Sequence, residues 1–299
     1  MLSYFDYRQP LFRPSTQGLE NSFISGNCDC SGRVDELNMT SNRSPLNATT
    51  LKIIAAALMF IDHIHQMWGH AGIPIWLNCL GRPVFPIFLF LMSESFHHTR
   101  SREKLLFRLL FASWFMTIMN LVLGVWILPN SNVSLMNNAF GTFFVAVLYM
   151  LCYDMVTSGI RDSVLKKTII GTLLFFLPIL TMLIPAIAYA SAEATPRWLI
   201  SLILLIPNVF LVEGGPIFVA LGVSFYMLRH QRWAQVAVLA VISALFLIFN
   251  PSSIQWMMVF AAIPILLYNG EKGRGLKSFF YIFYPAHIYV LYIVASLVP

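Results

Sequence analysis

An all-α, polytopic membrane helical bundle is the fold class predicted by three observations. Of the 299 residues, 58% are hydrophobic and only 11% charged, against about 45–50% and about 25% in an ordinary soluble domain. About ten continuous apolar runs follow residue 50; most approach the roughly 20 residues that span a hydrocarbon core. They do not alternate apolar with polar, which excludes barrel strands and leaves helices. Lys and Arg gather in short clusters between the runs, the pattern of a topology signal.

Residues 1–50 are rich in Pro, Ser, Asn and Gly, lack any sustained apolar run, and read as a polar, flexible cytoplasmic tail. The membrane domain occupies 51–299. The tail has no basic start or apolar core of a cleavable signal, so the first apolar segment is expected to stay in the membrane, with Asn47 or Thr49 as its helix cap. The segments fall near 51–67, 75–96, 104–128, 139–157, 164–190, 197–212, 216–228, 233–249, 254–268 and 279–297. Pro83 and Pro86 interrupt the second, where missing backbone donors favour a kink around a cavity. Basic loops lie near 97–104, 161–167, 229–232 and 272–277, whereas 68–74, 129–138 and 250–253 hold no Lys or Arg. Basic loops belong on the cytoplasmic side, which also places the N-terminus there. Ten full crossings would put Arg229 and Arg232 on the wrong side. Either 197–228 is one crossing broken at Glu213-Gly214-Gly215-Pro216, or 164–190, with Pro178 and Pro185, forms two half-crossings.

A net charge of +6 carries no continuous basic face, so nucleic acid is not the expected partner. Cys28, Cys30, Cys79 and Cys152 are too scattered for a disulfide scaffold. The chain has no Walker loop, GxGxxG or GxSxG, which leaves nucleotide hydrolysis and serine-hydrolase chemistry without local support. His63 and His65 diverge on a helix and no Cys or Glu stands at ligand spacing, so no metal is expected.

Ionisable residues within apolar helices are costly and mark candidate sites. Here they are Asp62, His63, His65, Arg82, Glu94, Arg108, Asp154, Glu213 and His287. At about 1.5 Å rise per residue, His63, Arg82 and His287 fall near one midplane level, with Glu94, Arg108 and Asp154 nearer the cytoplasmic side. Asp62 and His65 share a helix face, while His63 points about 100° away. His63 is thus the freer base, suited to deprotonating an acceptor hydroxyl or amine. The same residues also suit a polar knot in which Asp62 pairs with Arg82.

Several strings read together: Leu51-Lys52-Ile53-Ile54-Ala55, Met59 to His63, Gly81-Arg82 with Phe85-Pro86-Ile87-Phe88, Glu94 with His98-Thr99-Arg100, Arg108-Leu109, and Phe280 to His287. In order and spacing they resemble the TraX family of bacterial membrane proteins, best known for N-terminal acetylation of conjugative pilin. More weakly they are similar to the transmembrane acyltransferases of the lysosomal heparan glucosamine N-acetyltransferase type. The resemblance covers nearly the whole chain after the tail and is loosest over 164–228; Ser95 stands where a glycine is expected. It implies a multi-pass protein of the bacterial cytoplasmic membrane, in contact with lipid, that takes acetyl-CoA from the cytosol as co-substrate. The acceptor would be membrane-embedded or a peptide, with pilin the analogue. The implied catalytic set is His63 as base, Asp62, and His287 as donor of a hydrogen bond or proton. Arg100, Arg102, Lys104 and Arg108 would hold the phosphates, and Arg82 and Glu94 complete the donor-binding set. Transfer is expected to be direct, with an acetyl-histidine intermediate as the alternative. The rival readings are a proton-coupled transporter built on Asp62, His63, Arg82 and His287, and a non-catalytic pilus or envelope assembly factor.

Overall fold

The computed structural model describes residues 46–190, 203, 205–275 and 277–297. The tail therefore lies outside the described residues up to position 45, and the helical body begins slightly earlier than 51. Asn47 caps the first helix, α1 (Ala48–Trp68), by accepting the Thr50 backbone N–H at 2.9 Å. This satisfies one of the donors that every helix start leaves free. The start of α1 is tied to the loop before the last helix: the Ala48 N–H donates to the Glu271 carbonyl at 2.8 Å, and the Thr49 hydroxyl to the Lys272 carbonyl at 3.0 Å. Leu51, Ala55, Met59, His63 and Met67 form its buried stripe, at the i, i+4 spacing that faces a neighbour.

The second apolar segment folds as α2 (Trp76–Gly81) and α3 (Val84–His97), with Arg82 and Pro83 at the break. Proline is tolerated there because the first turn of a helix needs no internal donors. Gly81 has a separate reason: a Cβ at this position would overlap the Asp62 side chain of α1. The two helices approach closely at that level because the residue has no side chain.

Helix α4 (Arg102–Leu121) continues through a π-helical turn, Val122–Ile127. It exposes Phe107, Phe111, Phe115 and Ile118, a helical row suited to lipid. After an irregular stretch comes α5 (Ala139–Arg161), the most enclosed of the long helices, with Phe143, Val147 and Met150 in the core. Next are α6 (Leu165–Leu180), α7 (Leu183–Ala190) and α8 (Gly215–Met227). They are followed by α9 (Arg232–Phe249), a 3-10 stretch Ile254–Ala261, α10 (Ala262–Leu266) and α11 (Lys277–Leu297).

The all-α expectation is met, but the count of about ten crossings is corrected. Among the described residues seven helices are long and apolar enough to cross a membrane. The 13 residues of α8 rise about 20 Å, short of the roughly 30 Å hydrocarbon thickness. Residues 254–268 make a 3-10 stretch and a five-residue helix. The segment 197–212 lies partly outside the described residues, and its 205–212 portion is turn and bend. A hydropathy window registers apolarity but not whether the backbone closes its helical hydrogen bonds. Pro207, Asn208 and the Gly214-Gly215 pair, at φ 74° and 61°, prevent closure. The irregular backbone of 205–214 ends where α8 begins at Gly215, with Pro216 in its first turn, while 165–190 forms α6 and α7, divided at Thr181-Met182, with Pro178 carried inside α6.

The basic loops gather at one end of the bundle. There Arg102 pairs with Asp154 at 2.6 Å, Arg232 with Glu94 at 3.8 Å, and the rings of His97 and His230 stand 6.5 Å apart. Two irregular stretches, 129–138 and 205–214, reach into the bundle instead and meet where the Asn138 backbone N–H donates to Glu213 Oε2 at 2.8 Å. Non-helical backbone at such depth is tolerated only where protein or a cavity satisfies it.

Candidate functional site

His63 on α1 and His287 on α11 are 5% and 6% exposed, and they face each other. His63 Nδ1 lies 2.7 Å from His287 Nε2, and His287 Nδ1 lies 2.6 Å from the Phe283 carbonyl one turn earlier. Their protons follow from what each atom can do. A carbonyl only accepts, so the neutral His287 ring carries its proton on Nδ1 and accepts at Nε2. His63 must then carry its proton on Nδ1, and its Nε2 keeps a lone pair. The rings are held by stacking, His63 on His287 at 4.9 Å and His287 on Phe283 at 4.6 Å between centroids. The sequence FYP-x-H puts Phe283 and His287 four apart, on the same face of α11.

The lone pair of His63 Nε2 lies 3.3 Å from the Asn137 side-chain nitrogen, a long contact that a substrate N–H or O–H can replace. The Asn137 amide pairs with Gln66, donating at 3.1 Å and accepting at 2.8 Å, and its backbone carbonyl accepts from Asn120 at 3.0 Å. Asn138 donates from its side chain to Ser113 and Thr117 of α4 and accepts the Gly141 N–H. The polar residues of 137–138 are thereby bound on three sides.

Asp62 turns away from His63, as the helical angle requires, and pairs with Arg82 at 3.1 Å. Arg82 also donates to Gln255 Oε1 at 3.1 Å and to the Asn78 carbonyl at 3.2 Å. Although His65 shares a helix face with Asp62, its Nδ1 lies 3.2 Å from the Asn78 amide nitrogen. The strong cation across the helix pair outcompetes an imidazole on the same helix.

A cavity of about 380 Å³ runs alongside these groups, with His63, Asp62, Arg82, Glu213 and Tyr284 in its lining and Phe85, Phe88, Phe140 and Phe218 supplying apolar wall. Lys52, Ser95, Thr99 and Arg108 line it toward the basic end. Lys52 and His63 are eleven positions apart on α1, or about 16 Å along the helix. The cavity is therefore a passage from the basic end to the histidine pair.

Of the basic residues expected at the mouth, Arg108 lines the cavity, while Arg100 and Lys104 are exposed near it at the start of α4. Arg102 does not line it; its guanidinium is held by Asp154 and lies over the Phe96 ring at 4.7 Å. Glu94 likewise does not line it and faces Arg232 on α9. Sequence reasoning left out Lys52, which stands in the Leu51-Lys52 string, and Asn137, which reads as an ordinary loop residue until its contact with His63 is seen. Glu213 stands among the ionisable residues of the apolar segments, at the Gly214-Gly215 break, but is given no part by the sequence. Among the described residues no group of three His, Cys, Asp or Glu is arranged to hold a metal ion.

Residues 47–295 match the profile of the TraX family, described as TraX protein. The chain is also similar to the probable fimbrial assembly protein FimC, serogroup H1, of Dichelobacter nodosus. The identity is 26% over 269 residues, covering 84% of this chain and 96% of that one. No solved structure matches.

Proposed function

The chain belongs to the TraX family, and on that premise we propose that it is an integral membrane acetyltransferase. It moves the acetyl group of acetyl-CoA to an amine or hydroxyl of a membrane-associated acceptor, a pilin N-terminus by analogy with the family. The observation that carries this reading is the histidine pair, which leaves the His63 Nε2 lone pair available beside a passage lined by Lys52 and Arg108 at its other end.

Acetyl-CoA approaches from the basic end, which we assign to the cytoplasm by the positive-inside rule; the membrane is then the bacterial cytoplasmic membrane. Lys52 and Arg108 meet the phosphates, with Arg100 and Lys104 adding to the field. The pantetheine arm lies along the aromatic wall, and the distance from Lys52 to His63 suits its extended length. His63 Nε2 takes the proton of the acceptor as its nitrogen or oxygen attacks the thioester carbonyl carbon. The carbon–sulfur bond then breaks, the electron pair leaves with sulfur, and the same proton returns to it, giving free CoA thiol. His287 acts by holding the His63 tautomer, and Arg82, neutralised by Asp62, offers N–H groups on the cavity wall.

The test is release of CoA thiol by the purified full chain with acetyl-CoA and acceptor, and the same measurement on His63→Ala. Loss of at least ~100-fold in turnover with unchanged melting and unchanged acetyl-CoA stabilisation is expected; undiminished turnover removes His63 from the mechanism. The name of the Dichelobacter relative favours one second reading, a non-catalytic assembly factor. In that case pilus assembly survives His63→Ala.

A further inference from the structure

Glu213 is the ionisable group beside the histidine pair that the mechanism above leaves idle. Its Oε2 accepts the Asn138 backbone N–H at 2.8 Å and lies 3.4 Å from the Tyr284 hydroxyl. That hydroxyl itself accepts the Ala139 N–H at 2.9 Å, so its proton is directed to Glu213. Two elements thus bind the carboxylate to the site: Asn138 adjoins Asn137, which touches His63, and Tyr284 stands one turn before His287, their rings 6.1 Å apart. Glu213 lines the same cavity as His63. Yet it forms no ion pair among the described residues, whereas Asp62, Glu94 and Asp154 each pair with an arginine. Its Oε1 takes no hydrogen bond among the described residues. A carboxylate without an ion-pair partner among the described residues, in a largely apolar cavity within a membrane, is expensive, and a cationic ligand is one way to compensate it.

We propose that Glu213 receives the ammonium form of an amine acceptor and removes the first of the two protons it must lose, a role that rests on the acetyltransferase reading. An ammonium nitrogen has no lone pair and cannot attack. Proton transfer to Glu213 gives a neutral amine and a protonated carboxyl. The nitrogen lone pair then forms the bond to the thioester carbonyl carbon, and His63 takes the second proton and returns it to the departing sulfur. The carboxyl releases its proton to water. Ammonium and acetyl-CoA thus become amide, CoA thiol and one proton, and the two bases have separate duties. The charged and titratable groups around the carboxylate are Tyr284 of α11, His287 beyond it, and Asp62, His63 and Arg82 along the cavity.

Glu213→Gln separates this role from a structural one, because the glutamine oxygen still accepts the Asn138 N–H while the charge is gone. The probe is an apolar peptide of about 20 residues with a free N-terminal amine, acetylated in detergent by the full chain at pH 7 and at pH 9.5. An α-amine has a pKa of about 7.7–8.0 and is largely neutral at the higher pH. Expected is a loss of at least ~100-fold in kcat/KM at pH 7 that shrinks by about 6–11-fold at pH 9.5 relative to wild type, the factor by which the neutral fraction of the amine rises. Acetyl-CoA stabilisation should be unchanged, and Glu213→Asp should recover part of the rate at pH 7. Equal loss at both pH values, or no loss at pH 7, overturns the proposal. Wild-type protein that neither binds acetyl-CoA nor acetylates the probe overturns the reading beneath it, whereas an active wild type with an unaffected Glu213→Gln overturns only the role given to Glu213.

Discussion

Replacing His287 by phenylalanine isolates the hydrogen bond that sets the His63 tautomer. The phenyl ring fits between Phe283 and His63 and preserves the stacking, but it offers no acceptor to the His63 Nδ1–H, which His287 Nε2 now meets at 2.7 Å. His63 is 5% exposed, so water does not readily take over. Leaving a buried donor unpaired costs about 1–3 kcal/mol, and hydrogen bonds between membrane helices contribute about 0.6 kcal/mol on average and about 1.7 at most. A bias of about 1–2 kcal/mol toward the other tautomer reduces the productive population by about 5–30-fold. Turnover, read as CoA thiol release, should fall by that factor, while KM for acetyl-CoA stays within about twofold because Lys52 and Arg108 are untouched. His287→Gln, whose side-chain oxygen accepts the same proton, should retain most of the rate. Wild-type turnover in a folded His287→Phe protein would refute the tautomer argument. Equal loss in both variants would show that the ring itself, and not its acceptor atom, matters.

Three further outcomes follow from the same geometry. Gly81→Ala places a methyl group on the Asp62 side chain and should destabilise the protein by about 1–3 kcal/mol; an unchanged melting temperature would mean that α1 and α2 do not approach as described. Arg108→Ala should raise KM for acetyl-CoA with little change in kcat and weaken its salt dependence, whereas Arg102→Ala should leave KM alone and lower stability because Asp154 keeps only the Tyr226 hydroxyl and loses its ion pair. Steady-state kinetics in 50 and 300 mM salt distinguish the two arginines, and an equal rise in KM for both would contradict the assignment of the cavity mouth. Asp62→Asn and Arg82→Gln, singly and combined, should show a coupling of about 1–2 kcal/mol in a double-mutant cycle by chemical denaturation, since both side chains are less than a third exposed. Additive effects would mean the pair is no more than a surface contact.

Membrane residence, the all-helical class and the candidate base were legible in the chain itself. Each rests on a cost that composition alone imposes: apolar runs must leave water, their backbone must pair internally, and an ionisable group among them must find a partner or a task. The 100° step between Asp62 and His63 likewise needs only helical geometry, and the arrangement found respects it. The number of crossings was not legible, because Pro207, Asn208 and Gly214-Gly215 interrupt hydrogen bonding while the Leu, Ile, Val and Phe around them keep mean hydropathy high. The basic mouth was only partly so. Arg102 and Arg108 look alike in sequence, and what separates them is Asp154, brought from 52 positions away by the packing of α4 on α5. His63 and His287 are 224 positions apart, and nothing local to either says which ring nitrogen holds the proton. That is decided by the Phe283 carbonyl and by the packing of α1 against α11. Chain-local physics selected the residues capable of chemistry, and tertiary contact decided the protonation each one has and the neighbours it serves.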